Sequence, residues 1–154
     1  METCNSMQGM IQRLCKKHGV DPRDPELYLH LKNPPYQPLI IEAVGKNLIC
    51  LQHYVRDSWG DLHCDPDQVF LWFDGYDMNK MVERVYLIPV SLQLVMGSYH
   101  VASYISDGKI TKFSQVQQRD QKSFASMWAR NINHQGWVKN STVAPKGADC
   151  ASPD

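Results

Sequence analysis

A change in hydrophobic period constrains this chain more than any other feature: the spacing is helical at both ends and alternating between them. Near the start, Met7, Met10, Ile11 and Leu14 recur three and four residues apart, which places them on one face of a helix. Asn5 or Ser6 is the expected cap, Lys16, Lys17 and His18 suit the carbonyl end, and Gly19 supplies the stop. Asp21-Pro22 and Asp24-Pro25 then make a connector that cannot stay helical. From Leu27 onward the pattern is that of strands. LYLHLK alternates, PLIIEAV and LICLQHYV flank the hairpin-type loop Gly45-Lys46-Asn47, and QVFLWF resumes after a turn-rich stretch from Asp57 to Asp67. Asp74 to Lys80 reads as a polar loop. ERVYLIPVSLQLV, Glu83 to Val95, reads as a strand in which Pro89 forces an edge, a bulge or a break. SYHVASYI and KITKF are joined by Ser106-Asp107-Gly108, a hairpin turn. From Ser114, a cap, to about His134 the period returns to helical, with Val116, Phe124, Met127, Trp128 and Ile132 on one face and Gln135-Gly136 as the end.

This order predicts an α+β fold: an antiparallel sheet of about five to seven strands, with an N-terminal and a C-terminal helix packed on one face. Residues 1–138 are expected to form one domain. The stretch KNSTVAPKGADCASPD, over 139–154, is expected to be a disordered tail.

At 154 residues, with 43% hydrophobic and 21% charged residues, the chain can bury a core without metal or disulfide support. No apolar run reaches the roughly 18 to 20 residues of a membrane helix, and the N-terminus lacks an apolar signal region. A cytoplasmic location and no membrane partner are therefore expected. The five cysteines, Cys4, Cys15, Cys50, Cys64 and Cys150, form no CxxC pair, and an odd count fits a reducing compartment. Charge is zero overall but uneven. Asp21 to Glu83 holds 11 acidic and five basic residues, whereas Lys109 to Lys139 holds six basic and one acidic.

Most of the candidate chemistry lies in HYVRDSWGDLHCDPDQVF, from His53 to Phe70. A metal-assisted hydrolase reading would use His53, Asp61, His63 and Asp65, all possible ligands. The further Asp, Asn and His ligands of a two-metal site are missing, as are the closely spaced pairs of structural zinc, so no metal or other cofactor is expected. In extended chain His63 and Cys64 point to opposite faces, and so do Cys50 and His53. No nucleophile elbow, phosphate loop or dinucleotide fingerprint is present, and no catalytic residue is assigned. Gly60, Asp57 and Asp61 suit a turn, and Asp65-Pro66 the entry to a strand. Asp57, Trp59, Asp61, His63, Asp65 and Asp67 form the candidate binding surface. Glu42, among apolar strand neighbours, is either a partly buried acid or one paired with a base. Arg119, Lys122 and Arg130 of the last helix, with Lys139 and the rings of Trp128 and Trp137, make the alternative nucleic-acid surface. Core packing is the better reading of Trp128, which shares a face with Phe124 and Ile132.

Several of these residues stand in a familiar order. Pro38 to Glu42, His53-Tyr54, Gly60-Asp61-Leu62, Asp65-Pro66 and then Phe124, Trp128, Asn131 and Gln135-Gly136 together resemble an uncharacterised domain-of-unknown-function family of bacteria, their phages and mobile elements. The resemblance spans roughly residues 7 to 138. Trp59 stands where that family usually has Asn, and His63 where it typically has Met or another residue that is no metal ligand, which sets His63 outside the shared pattern. The resemblance implies an architecture and a genomic setting, and no activity. The expected function is that of a small non-enzymatic binding or adaptor protein, an accessory or anti-defence factor whose partner is a protein from the same genome.

Overall fold

The computed structural model describes residues 1–94 and 98–153. Its elements, in chain order, are α1 (Asn5–Lys17), β1 (Tyr28–Asn33), β2 (Tyr36–Gly45), β3 (Leu48–Arg56), β4 (Leu62–Asp77), β5 (Val82–Leu94), β6 (Ser98–Val101), β7 (Ser103–Ser106), β8 (Lys109–Phe113), α2 (Gln115–His134), α3 (Trp137–Asn140) and β9 (Thr142–Val143). Seven strands form one antiparallel sheet in the order β6-β5-β4-β3-β2-β1-β9, and β7 and β8 pair separately. The fold is α+β, as the alternation of periods predicts.

One face of the sheet presents Leu29, Leu31, Leu39, Ile41, Ile49, Leu51, Phe70 and Leu87 to the helices. Met7, Met10, Ile11 and Leu14 of α1 and Trp128, Ala129 and Ile132 of α2 close over them in a single core. Phe124 packs at its margin. The remaining positions expected on the α2 face, Val116 and Met127, are exposed instead. Gln118 and Gln121 take the buried side there, because they have polar partners. Gln118 donates to Ser103 Oγ at 2.9 Å and Gln121 to the His100 carbonyl at 3.0 Å, while Gln68 of β4 donates to the Gln121 carbonyl. A hydrophobic-period reading cannot find a helix end that docks through amides.

Several boundaries differ from the sequence reading. The cap of α1 is Cys4, whose N–H donates to the Leu87 carbonyl and so ties the helix start to β5; Asn5 and Ser6 lie in the first turn. Gly19, at φ +70°, ends the helix as expected, with the Val20 N–H returning to the Cys15 carbonyl. β4 begins at Leu62 inside the expected turn and runs through Asp77 into the expected loop, because it is paired on both sides, with β3 and with β5. Pro89 sits at a bulge: Val69 faces Ser91, but Phe70 faces Pro89. Val95, at the end of that expected strand, lies outside the described residues. SYHVASYI is not one strand. Ala102, fully buried, bonds Val90 through its N–H and Ser114 through its carbonyl, and this splits β6 from β7. The segment expected as a disordered tail also carries structure. Thr142 and Val143 pair with Lys32 and Leu31, covering the free edge of β1, and Asp149 pairs with Arg56 at 2.8 Å.

Candidate functional site

The β3–β4 connection is a braced tip. Asp57 Oδ1 accepts from the Trp59 and Asp61 N–H groups, both at 2.9 Å, and the Gly60 N–H closes on the Asp57 carbonyl at 3.1 Å. Gly60 holds φ +85°, which an L side chain adopts at a cost. Asp57 Oδ2 meets His63 Nε2 at 2.7 Å, and Arg56 donates to the Gly60 carbonyl at 3.1 Å. The bond from His63, followed by the two backbone N–H bonds, holds the Asp57 carboxyl below its usual range. This scaffold presents Trp59 at 88% exposure, with Leu62 also exposed beside it. The local sequence explains the geometry: an Asx-turn aspartate, a glycine two residues before a strand, and a histidine that returns on β4 as the second brace. Asp57→Ala removes the acceptor for two backbone N–H groups. Hydrogen exchange at Trp59 and Asp61 should then speed up markedly, with core amides of β3 unchanged.

The candidate residues do not all belong to this tip. Asp67 lies on the opposite sheet face, where its Oδ1 accepts from Cys50 Sγ at 2.9 Å. His53 is also elsewhere. Its ring lies between Trp128 and Trp137, at centroid distances of 5.7 and 5.8 Å, and its Nδ1 faces the Gln37 and Pro38 carbonyls at 3.1 and 3.0 Å. His63, held by Asp57, and His53, held by carbonyls and indoles, therefore have separate partners. Cys64 turns to the other face, opposite Tyr54 of β3. Among the described residues no three His, Cys, Asp or Glu side chains are arranged to hold a metal ion. The ligand set of the hydrolase reading is thus not drawn together. Burial lowers the His53 pKa below 6.5, so the unfolded chain takes up this proton first. The stabilisation is complete above about pH 6.5 and is lost as pH falls through that value toward the folded-state pKa. Thermal melts from pH 7 to pH 5 should show a falling Tm, and His53→Gln should flatten the fall. His18 and His30, also lowered chiefly by burial, supply the remainder.

The face away from the helices holds a polar row that the sequence reading did not assemble. Tyr28, Glu42 and Cys50 are cross-strand neighbours, as are Gln52 with Asp67 and Tyr54 with Cys64. Gln52 donates to Glu42 at 2.7 Å, so the partner of Glu42 is an amide and not a base. Burial, and then Cys150 from the last segment of the chain, push the Tyr28 hydroxyl up. Strand register alone could have aligned these residues, but only with the pairing known. Burial pushes the thiols of Cys50 and Cys64 up, and those of Cys4 and Cys15 to about 12. A thiol held protonated is a hydrogen-bond donor and not a nucleophile.

Two of the basic residues of α2 are likewise engaged. Lys122 and Arg119 pair with Glu2 at 2.9 and 3.6 Å, Trp128 is almost fully buried and Trp137 completely so, while Arg130 is exposed. Neither ring is available to stack on a base. No described helix is long and apolar enough to cross a membrane.

Residues 9–138 match the family model described as Domain of unknown function (DUF6908). The chain belongs to this family. The DUF6908 region thus runs from α1 through the first residues of α3 and takes in both helices and the strands between them. It includes the tip, the His53 aromatic contact and the polar face, and leaves out the segment that carries β9 and Cys150. No curated protein and no solved structure matches the chain.

Proposed function

We propose that this DUF6908 protein is a non-enzymatic binding module whose recognition surface is the β3–β4 tip. The observation that carries the reading is Trp59, 88% exposed on a turn held by six hydrogen bonds of Asp57, Gly60 and Arg56. An exposed indole on a flexible loop would lose conformational freedom on binding; here the turn is already ordered. Tryptophan is among the residues that most often dominate an interface, and it does so when it fills a pocket on the partner. Asp57 and Asp61 flank it in sequence, with Arg56 and His63 close by, and Arg56 is already paired with Asp149. The partner that fits is a protein with an apolar pocket bordered by lysine or arginine.

A non-enzymatic role agrees with the chemistry at hand. Burial holds the thiols protonated, the histidines have separate partners, and the contact of Asp57 with His63 braces a turn. The setting suggested by the sequence resemblance is a bacterial or mobile-element genome, where the role would be that of an accessory or anti-defence factor in the cytoplasm. The test is to isolate the partner with the intact protein, reconstitute the pair from purified components, and compare wild type with Trp59→Ala. Loss of binding on that substitution supports the tip. Full binding by the variant, or turnover of a substrate with no protein partner, contradicts it.

A further inference from the structure

At the opposite end of β3 from the tip, the β7–β8 hairpin folds against the β2–β3 turn and, with Met1 and the β4 segment from Trp72 to Asp74, lines an open cleft of about 640 Å³. The hairpin is fastened there by Asn47 Nδ2, which donates to the Gly108 carbonyl at 3.3 Å, and by Lys46 with Asp107 at 3.1 Å. Gly108 permits this approach. It holds φ +73°, and a Cβ at that position would lie 2.9 Å from Lys46 Cγ and 3.0 Å from Asn47 Nδ2. Trp72, Phe73, Ile110 and Phe113 supply the apolar part of the wall, and Lys109 and Lys112 the cations.

The charge balance of this wall is specific. Its acid, Asp74, is already neutralised by both guanidinium nitrogens of Arg23, at 2.7 and 3.2 Å. Lys109 and Lys112 have no carboxylate partner among the described residues, and the Lys112 ammonium lies over the Tyr104 ring at 5.5 Å. A second cavity of about 380 Å³ adjoins the first and shares Asn47 and Trp72 with it. Trp72 is 4% exposed, and its indole N–H is buried without an acceptor. The indole N–H has almost no accessible surface, so Trp72 offers either cavity its ring and not its donor. The volume lies within the range of small-molecule sites, and apolar walls with a few polar groups are their usual composition.

We infer that this cleft binds a small organic anion built on a flat apolar ring. The ring packs against Phe73, Ile110 and Phe113. The acidic group meets Lys109 and Lys112. A nucleoside monophosphate and an aromatic carboxylate share this chemistry. The site is independent of the tip, so failure of either proposal leaves the other standing.

Calorimetric titration of the full chain with adenosine 5′-monophosphate and with 2-naphthoate separates the two sources. Adenosine and 2-naphthamide serve as neutral counterparts. Saturable binding of one anion is expected, with its neutral counterpart at least about tenfold weaker. The Lys109→Gln, Lys112→Gln double variant should weaken the anion by about tenfold or more. A melting curve establishes that the variant is folded. No saturation by either anion below about 1 mM, which corresponds to some −4 kcal/mol, overturns the inference. So does binding that the folded double variant leaves unchanged.

Discussion

Trp137→Ala should lower stability by about 3–5 kcal/mol, the range for removing a buried tryptophan. For a domain of this size that corresponds to a fall in Tm of about 6–20 °C. Trp137 is the largest fully buried side chain in the protein, and it lies in the one-turn α3 that follows the Gly136 bend. Its removal leaves a cavity and also strips the His53 ring of one of its two aromatic neighbours. Its Nε1–H bond to Gln135 Oε1, at 3.0 Å, is lost as well. Asn33 of β1 donates to the Gln135 carbonyl at 2.9 Å, so the damage reaches the sheet edge that β9 covers. Thermal and urea melts measure the effect. A change within about 0.5 kcal/mol, as for an exposed site, would mean that α3 is not part of the core.

The same tryptophan shows what could and could not be read from the sequence. The periods alone place Met7, Met10, Leu14, Trp128 and Ile132 in one core, and the core contains them. The turns at Gly45-Lys46-Asn47 and Asp107-Gly108 follow from residues suited to positive φ, and Asn47, Asp107 and Gly108 adopt it. Trp137 sits among polar residues beyond the end of a helix, where no pattern marks it as buried; only the path of the chain around Gly136 does that. Gln118 and Gln121 are missed for a related reason, since buried amides are legible only with their partners in place. For the candidate site, the Asx-turn chemistry of Asp57 and Gly60 is local and readable. The assignment of Asp67 and Cys50 to one face depends on strand register, and the cleft under the β7–β8 hairpin depends on where that hairpin docks. Both are tertiary facts.

Trp59→Ala should leave the fold intact and remove binding. An exposed side chain away from special backbone geometry changes stability by no more than about 0.5 kcal/mol, so the melt of this variant should overlay that of the wild type. Truncation of a central interface tryptophan costs about 2 kcal/mol or more of binding, or about 30-fold in Kd. Asp57→Ala acts on the same surface by a different route. It leaves the indole in place and releases the turn that positions it, so binding should weaken in step with faster exchange at Trp59 and Asp61. Arg119→Glu on α2 lies outside the tip and should change nothing beyond its contact with Glu2.

The decisive measurement is an isothermal titration of the purified partner against wild type and Trp59→Ala, with the melting curve of each recorded beside it. A loss of about 30-fold or more at unchanged stability is the expected result. Equal affinity for the two proteins would contradict the assignment of the β3–β4 tip as the recognition surface.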